Sequence, residues 1–69
     1  MKKFNVINTC SNEIRVLVNK SKSISLKAGE RKSFYEKEGS RIDACLPNQH
    51  ANGLSFGTVD GTDKIISGL

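Results

Sequence analysis

The sequence predicts an all-β protein: a small antiparallel β-sandwich or barrel of about six to seven short strands, in one domain spanning residues 1–69. Three observations predict it. Apolar and polar residues alternate with a period of two, short turn-forming segments separate the alternating runs, and no window shows the spacing of an amphipathic helix. Repeated short strands with this punctuation are typical of sandwiches and small barrels.

Taken in order, the alternating runs place seven strands at residues 3–9, 13–19, 22–27, 31–37, 40–46, 53–59 and 63–67. Their inward-facing residues have even numbers and form the predicted core: Phe4, Val6, Ile14, Val16, Val18, Ile24, Leu26, Phe34, Ile42, Ala44, Leu54 and Phe56. The strongest hairpin signal is Asp60-Gly61, because the central residues of a type I′ turn need positive φ.

A few large apolar residues have the opposite parity and are candidates for partner binding: Ile7, Leu17, Tyr35 and Val59. One interpretation is an outer-face patch that meets a partner or a second copy of the chain. The other is burial at strand ends, at bulges or under a loop. Arg15 and Arg31 lie near these residues in the alternation and complete the set of partner-binding candidates, since a few central residues dominate most interfaces.

The formal net charge is +4, and nine of the eleven Lys and Arg residues lie within residues 1–37. Six basic residues share the outward parity: Lys3, Arg15, Lys27, Arg31, Lys37 and Arg41. A basic sheet face of this kind could follow a phosphate backbone, so nucleic-acid binding is an alternative function. Single-strand binders usually add stacking aromatic residues, and here only Tyr35 lies among these charges.

Catalytic, metal and cofactor motifs are not recognisable in this sequence, so we expect a protein that is not an enzyme and holds no cofactor. Cys45, His50 and Asp43 could in principle form a nucleophile, a base and an orienting acid, but their spacing matches no known local signature. Cys10 and Cys45 could form one disulfide, which would close a loop of about 36 residues and stabilise the fold by about 4 kcal/mol.

No apolar run approaches the roughly 20 residues that a membrane-spanning helix needs. Residues 4–9 are too polar for the core of a signal peptide, which leads us to expect a cytoplasmic protein with reduced thiols. The open alternative is a secreted, disulfide-bridged domain that recognises a surface ligand after its leader has been removed.

One family resemblance is visible. Residues 4–11, FNVINTCS, resemble the opening strand of thaumatin-like proteins, and LKAGE at residues 26–30 followed by Phe34 is similar to a second segment of that family. Residues 39–45 loosely resemble the next strand. The resemblance covers residues 4–45 and implies a β-sandwich. Thaumatin-like proteins are secreted, much longer and rich in disulfides, whereas this chain has two cysteines, so no activity is implied.

Together these observations predict a small, basic, non-enzymatic binding module that acts by protein–protein contact, as an inhibitor or an accessory factor does. The partner is unidentified, and self-association into a homodimer or another homo-oligomer is a further expectation, because domains of this size often gain stability from a partner chain.

Overall fold

A computed structural model describes residues 1–49 and 53–69 and contains seven strands. They are β1 (Lys2–Asn8), β2 (Ile14–Val18), β3 (Lys22–Leu26), β4 (Arg31–Glu36), β5 (Arg41–Cys45), β6 (Leu54–Thr58) and β7 (Lys64–Ile66). Each bound lies within one residue of the position expected from the alternation. The described residues form no helix, and therefore none that could cross a membrane. The all-β prediction is confirmed.

The strands form two sheets, as a small β-sandwich requires. Sheet A has the order β4-β1-β7, and sheet B has the order β3-β2-β5-β6. Every pair is antiparallel except β1 and β7, which run parallel and place Ile7 opposite Ile65. In sheet A, β1 is central, so its outward side chains have neighbours on both sides.

The core lies between the sheets and consists mainly of the even-numbered residues that the alternation selects. Phe4 and Phe34 face each other across β1 and β4, and their rings stack with centroids 5.6 Å apart. One prediction about burial is wrong, and one open alternative is decided. Leu54 is 48% exposed on β6, whereas Val59 is 1% exposed and belongs to the core. Val59 lies just beyond β6, where its amide donates to the Ser40 carbonyl and its carbonyl accepts from the Gly39 amide, both directly before the neighbouring strand β5.

The turns also differ from expectation at one point. Asp60-Gly61 does not make a hairpin, because β6 belongs to sheet B and β7 to sheet A. Asp60 Oδ1 instead accepts hydrogen bonds from the backbone amide and the hydroxyl of Thr62, and this local turn redirects the chain between the sheets. The tight hairpin is at Asn19-Lys20, where both φ angles are positive at 51° and 59°.

Lysine side chains point inward along the edge strands of both sheets. Lys22 on β3 forms an ion pair of 2.7 Å with Glu36 on β4, and Lys32 on β4 donates to the Ser25 carbonyl on β3. On the opposite side of sheet A, Lys64 on β7 is buried and its ammonium lies 3.3 Å from Asp60. Inward-pointing charge on an edge strand disfavours pairing with another chain, so both outer strands of sheet A are protected from strand addition.

A buried asparagine ties the end of β1 to the opposite sheet. Asn8 is fully buried, and its Nδ2 donates to the carbonyls of Asn12 at 2.9 Å, Lys27 at 3.0 Å and Leu26 at 3.4 Å. Its Oδ1 accepts from the backbone amide of Cys10 at 2.9 Å. The side chain therefore satisfies backbone groups from three segments at once.

Candidate functional site

The two sheets give the sandwich two outer faces, and the partner-binding candidates are divided between them. Ile7, Arg31 and Tyr35 lie on the outer face of sheet A, whereas Arg15 and Leu17 lie on the outer face of sheet B, because their strand neighbours with even numbers fill the core. Val59 lies on neither face, so its assignment as an outer-face contact residue is wrong.

We define the sheet A face as the outward side chains of its three strands. Its members are Lys3, Asn5 and Ile7 on β1, Arg31, Ser33 and Tyr35 on β4, and Ile65 on β7.

Two rows of the sheet A face carry apolar surface beside a cation. At one end, Tyr35 is 61% exposed and lies opposite Lys3. At the other end, Arg31, Ile7 and Ile65 lie side by side across the three strands, and Ile65 is 51% exposed. Ile65 is not among the residues predicted from the sequence. Its position between the buried Lys64 and Ile66 in the last strand is the pattern that marks it as outward-facing.

A hydrogen-bond network holds the middle row of the sheet A face in place. The Ser33 hydroxyl donates to Asn5 Oδ1 at 2.6 Å, and Asn5 Nδ2 donates to Asp63 Oδ1 at 3.0 Å. The backbone amide of Asn5 donates to the same carboxylate oxygen at 3.3 Å. Because the polar groups of this row are satisfied by one another, the row is organised before any partner arrives.

The outer face of sheet B is largely covered. Asp43 is 3% exposed, Cys45 is buried, and Leu17 and Arg15 are partly buried. Arg41 Nε donates to Asp43 Oδ1 at 3.1 Å, while the buried Asp43 Oδ2 has no hydrogen-bond partner among residues 1–49 and 53–69. Gly53 lies directly against β5, since a Cβ added to Gly53 would be 3.4 Å from the Ala44 carbonyl oxygen. Leu17 therefore offers less accessible surface than Tyr35 or Ile65.

Both cysteines are free, buried thiols in the structure. Cys10 belongs to the core between the sheets, and its thiol lies 3.8 Å from the Ile66 carbonyl oxygen. Cys45 lies on the other side of sheet B, opposite Arg15. A disulfide between Cys10 and Cys45 would have to join sulfur atoms that lie on opposite sides of sheet B. The disulfide stays a prediction.

The basic residues that share the outward parity do not form one surface. Lys3 and Arg31 lie on the sheet A face, whereas Arg15 and Arg41 lie on the outer side of sheet B. Shared parity failed to identify a common face because a sandwich has two outward-facing sides. Lys27 and Lys37 directly follow β3 and β4 in the loops.

The carboxylates of the described segments show one marked electrostatic feature. The pKa of Asp60 is lowered to about 2, first by the hydrogen bond from the Thr62 hydroxyl, then by the Thr62 amide and Lys64. Within residues 1–49 and 53–69, no group of three or more His, Cys, Asp or Glu side chains could hold a metal ion. His50, the residue considered as a base, lies outside the described residues.

Comparison with known proteins identifies a similar fold and no family. No family model and no curated protein matches the chain. Among solved structures, the chain is similar to the protein elicitor MoHrip2 from Magnaporthe oryzae, with a TM-score of 0.64 and 19% sequence identity. The match covers 83% of this chain and 47% of that one, so this chain spans about half the length of the elicitor. The likeness shows the fold alone, and the resemblance to thaumatin-like proteins stays a prediction.

Proposed function

We propose that this chain is a small non-enzymatic binding module that acts by protein–protein contact, and that the sheet A face is its contact surface. The observation that carries the proposal is the grouping of Tyr35, Ile65 and Ile7 with Arg31 on one face. Exposed aromatic and arginine side chains are enriched where interface energy is concentrated. An inhibitor or an accessory factor would use such a face to occupy a surface of its partner.

The shape of the sandwich supports contact through a face rather than through an edge. Lys64 on β7 and Lys32 on β4 point inward along the two outer strands of sheet A, which disfavours strand addition. The network of Ser33, Asn5 and Asp63 keeps the centre of the face ordered. A partner can therefore dock without a large ordering cost on this side.

The experiment compares partner capture by matched surface variants. The immobilised chain is incubated with extract of its native host, and retained proteins are identified by mass spectrometry. We expect Ile65→Ser to lose a protein that the unmodified chain retains, whereas Leu54→Ser, which removes a leucine of similar exposure on sheet B, keeps it. Retention by Ile65→Ser equal to that of Leu54→Ser would contradict the sheet A face as the contact surface.

Self-association is measured separately by sedimentation equilibrium, because a second copy of the chain is one candidate partner. If the chain dimerises through the sheet A face, Ile65→Ser lowers the mass in solution to that of a monomer and Leu54→Ser does not. A dimer that Leu17→Lys disrupts instead would place the contact on sheet B and contradict the proposal.

A further inference from the structure

We infer that the partner of the sheet A face presents two acidic residues whose Cα atoms are about 14 Å apart, each with an apolar side chain on the same side, as in an extended acidic segment. This inference rests on the proposed function and specifies its partner. The cations that carry it make no ion pair with any described residue and lie at fixed positions in the register of sheet A.

The cations of the fold fall into two groups. Within the described residues, the ion pairs use the cations of Lys22, Lys32, Arg41 and Lys64. Neither Lys3 nor Arg31 makes an ion pair with any residue that the structure describes. These two are the cations of the sheet A face, so the face is positively charged where it is also apolar.

The acidic residue closest to the centre of this face does not neutralise these cations. Asp63 accepts two hydrogen bonds from Asn5 in the middle row, between the row of Lys3 and the row of Arg31. Since no carboxylate of the described residues pairs with Lys3 or Arg31, both cations are available to carboxylates of another molecule. Arginine is suited to this contact because its planar guanidinium binds a carboxylate through two hydrogen bonds.

The register fixes the spacing that a partner has to match. Lys3 and Ile7 are four residues apart on β1, and Arg31 lies opposite Ile7 on the adjacent strand. At about 3.4 Å per residue and about 4.8 Å between strands, the Cα atoms of Lys3 and Arg31 are about 14 Å apart. An extended partner segment reaches the same distance between its own positions i and i+4, whose side chains point to the same side.

The apolar contacts lie beside the two charges and add specificity. Tyr35 flanks Lys3 at one end, and Ile7 and Ile65 flank Arg31 at the other. An extended partner with an apolar residue two positions outside each carboxylate presents its apolar and acidic side chains to the same face and can cover both. A nucleic acid would supply the negative charges, but its stacking bases would find a single aromatic side chain on this face, so the acidic protein segment is favoured.

The test uses defined probes and the full chain labelled with ¹⁵N. The main probe is the capped peptide Leu-Ser-Glu-Ser-Thr-Ser-Glu-Ser-Leu, whose glutamates are four residues apart and share one side of an extended chain with both leucines. Its matched control, Leu-Ser-Glu-Glu-Ser-Thr-Ser-Ser-Leu, has the same composition with adjacent glutamates. A third peptide replaces both glutamates by lysine, and a short oligothymidylate represents nucleic acid. Backbone amide shifts are recorded at about 20 mM and about 200 mM salt, since screening weakens exposed ion pairs.

We expect the main probe to shift the amides of Lys3, Ile7, Arg31 and Ile65 and to bind more weakly at the higher salt concentration. From the strength of exposed ion pairs, Arg31→Glu should weaken this binding about twofold to fivefold. The control Lys20→Glu changes the charge equally, far from the face in the β2–β3 turn, and should leave the affinity unchanged. The adjacent-carboxylate peptide should bind more weakly than the main probe, and the lysine peptide should not bind.

Three results would overturn the inference. Equal binding of the lysine peptide would show a face that does not select acidic partners, although the contact function would stand. Tighter binding of the oligothymidylate at the same amides would assign the face to nucleic acid. No shift of the sheet A face by the main probe would exclude this acidic segment, and the capture experiment with Ile65→Ser would then decide the contact function independently.

Discussion

Replacing Asn8 by Ala removes a side chain that joins three backbone segments in the interior. The variant loses three hydrogen bonds of 2.9–3.0 Å, to the carbonyls of Asn12 and Lys27 and from the amide of Cys10. At about 0.5–1.5 kcal/mol for each bond, the free energy of unfolding should fall by about 3 kcal/mol. A chain of this length has a total of about 3–10 kcal/mol, so the variant should be close to unfolding.

The assay is urea denaturation followed by far-ultraviolet circular dichroism, with the slope of the transition checked for a change in the surface exposed on unfolding. Asn8→Asp is the informative companion variant, because it keeps the oxygen that accepts from Cys10 and removes the donor that faces the carbonyls. We expect it to be destabilised at neutral pH and to recover partly in acid, since a protonated carboxyl group can donate once.

A loss of less than about 1 kcal/mol in Asn8→Ala would refute the reasoning, because the orphaned carbonyls and the Cys10 amide would then have found other partners at little cost. Recovery of Asn8→Asp at higher rather than lower pH would refute the assignment of donor and acceptor. Ser23→Ala, a substitution at an exposed position on β3, is the control and should change the free energy of unfolding by less than about 0.5 kcal/mol.

Three further outcomes are expected. Lys20→Gly should raise the free energy of unfolding by about 0.5–1 kcal/mol, because glycine adopts its φ of 59° without strain; a decrease in urea denaturation would contradict this. The pKa of Asp60 is lowered from its ordinary value of 3.8 to about 2 in the folded chain. Its ionised carboxylate therefore stabilises the fold above pH 3.8, and this stabilisation is lost as the pH falls towards 2. The stability difference between the unmodified chain and Asp60→Asn should therefore shrink across that window in acid titration, and a constant difference would argue against the shift. Val59→Ala should lower the free energy of unfolding by about 2 kcal/mol, and Ile65→Ala by less than half of that, because only Val59 is buried. Equal losses for the two variants in thermal unfolding would contradict this difference in burial.

Sequence alternation predicted strand positions well because inward and outward residues differ in polarity along each strand. It predicted Val16 and Ile42 as core residues for that reason. For Val59 the sequence left burial at a strand end or a bulge open, and the register shift between β5 and β6 accompanies the burial of this odd-numbered residue. The alternation failed at Leu54, which is exposed at the start of the edge strand β6. Alternation of apolar and polar residues does not distinguish an edge strand from a central one.

The candidate site was only half visible in the sequence. Parity identified Ile7, Arg31 and Tyr35 as outward-facing, but parity cannot distinguish the outer face of sheet A from that of sheet B. Leu17 and Arg15 were therefore grouped with residues on the opposite side of the molecule. The pairing of β1 with β7, which brings Ile65 to Ile7, depends on an association between strands nearly the whole chain apart, which local patterns do not encode.

Because β1 and β7 pair in parallel, we expect the sheet A face to be completed late in folding. Ile7 and Ile65 are contributed by the first and last strands, so their row is complete only after the loop between them has closed. The entropy of closing a long loop is lost before the contacts between its ends can form, so pairing of distant strands is slow. A chain still lacking its last strand would present Tyr35 and Arg31 without Ile65. Recognition through the complete row would thus select molecules whose two ends have already come together.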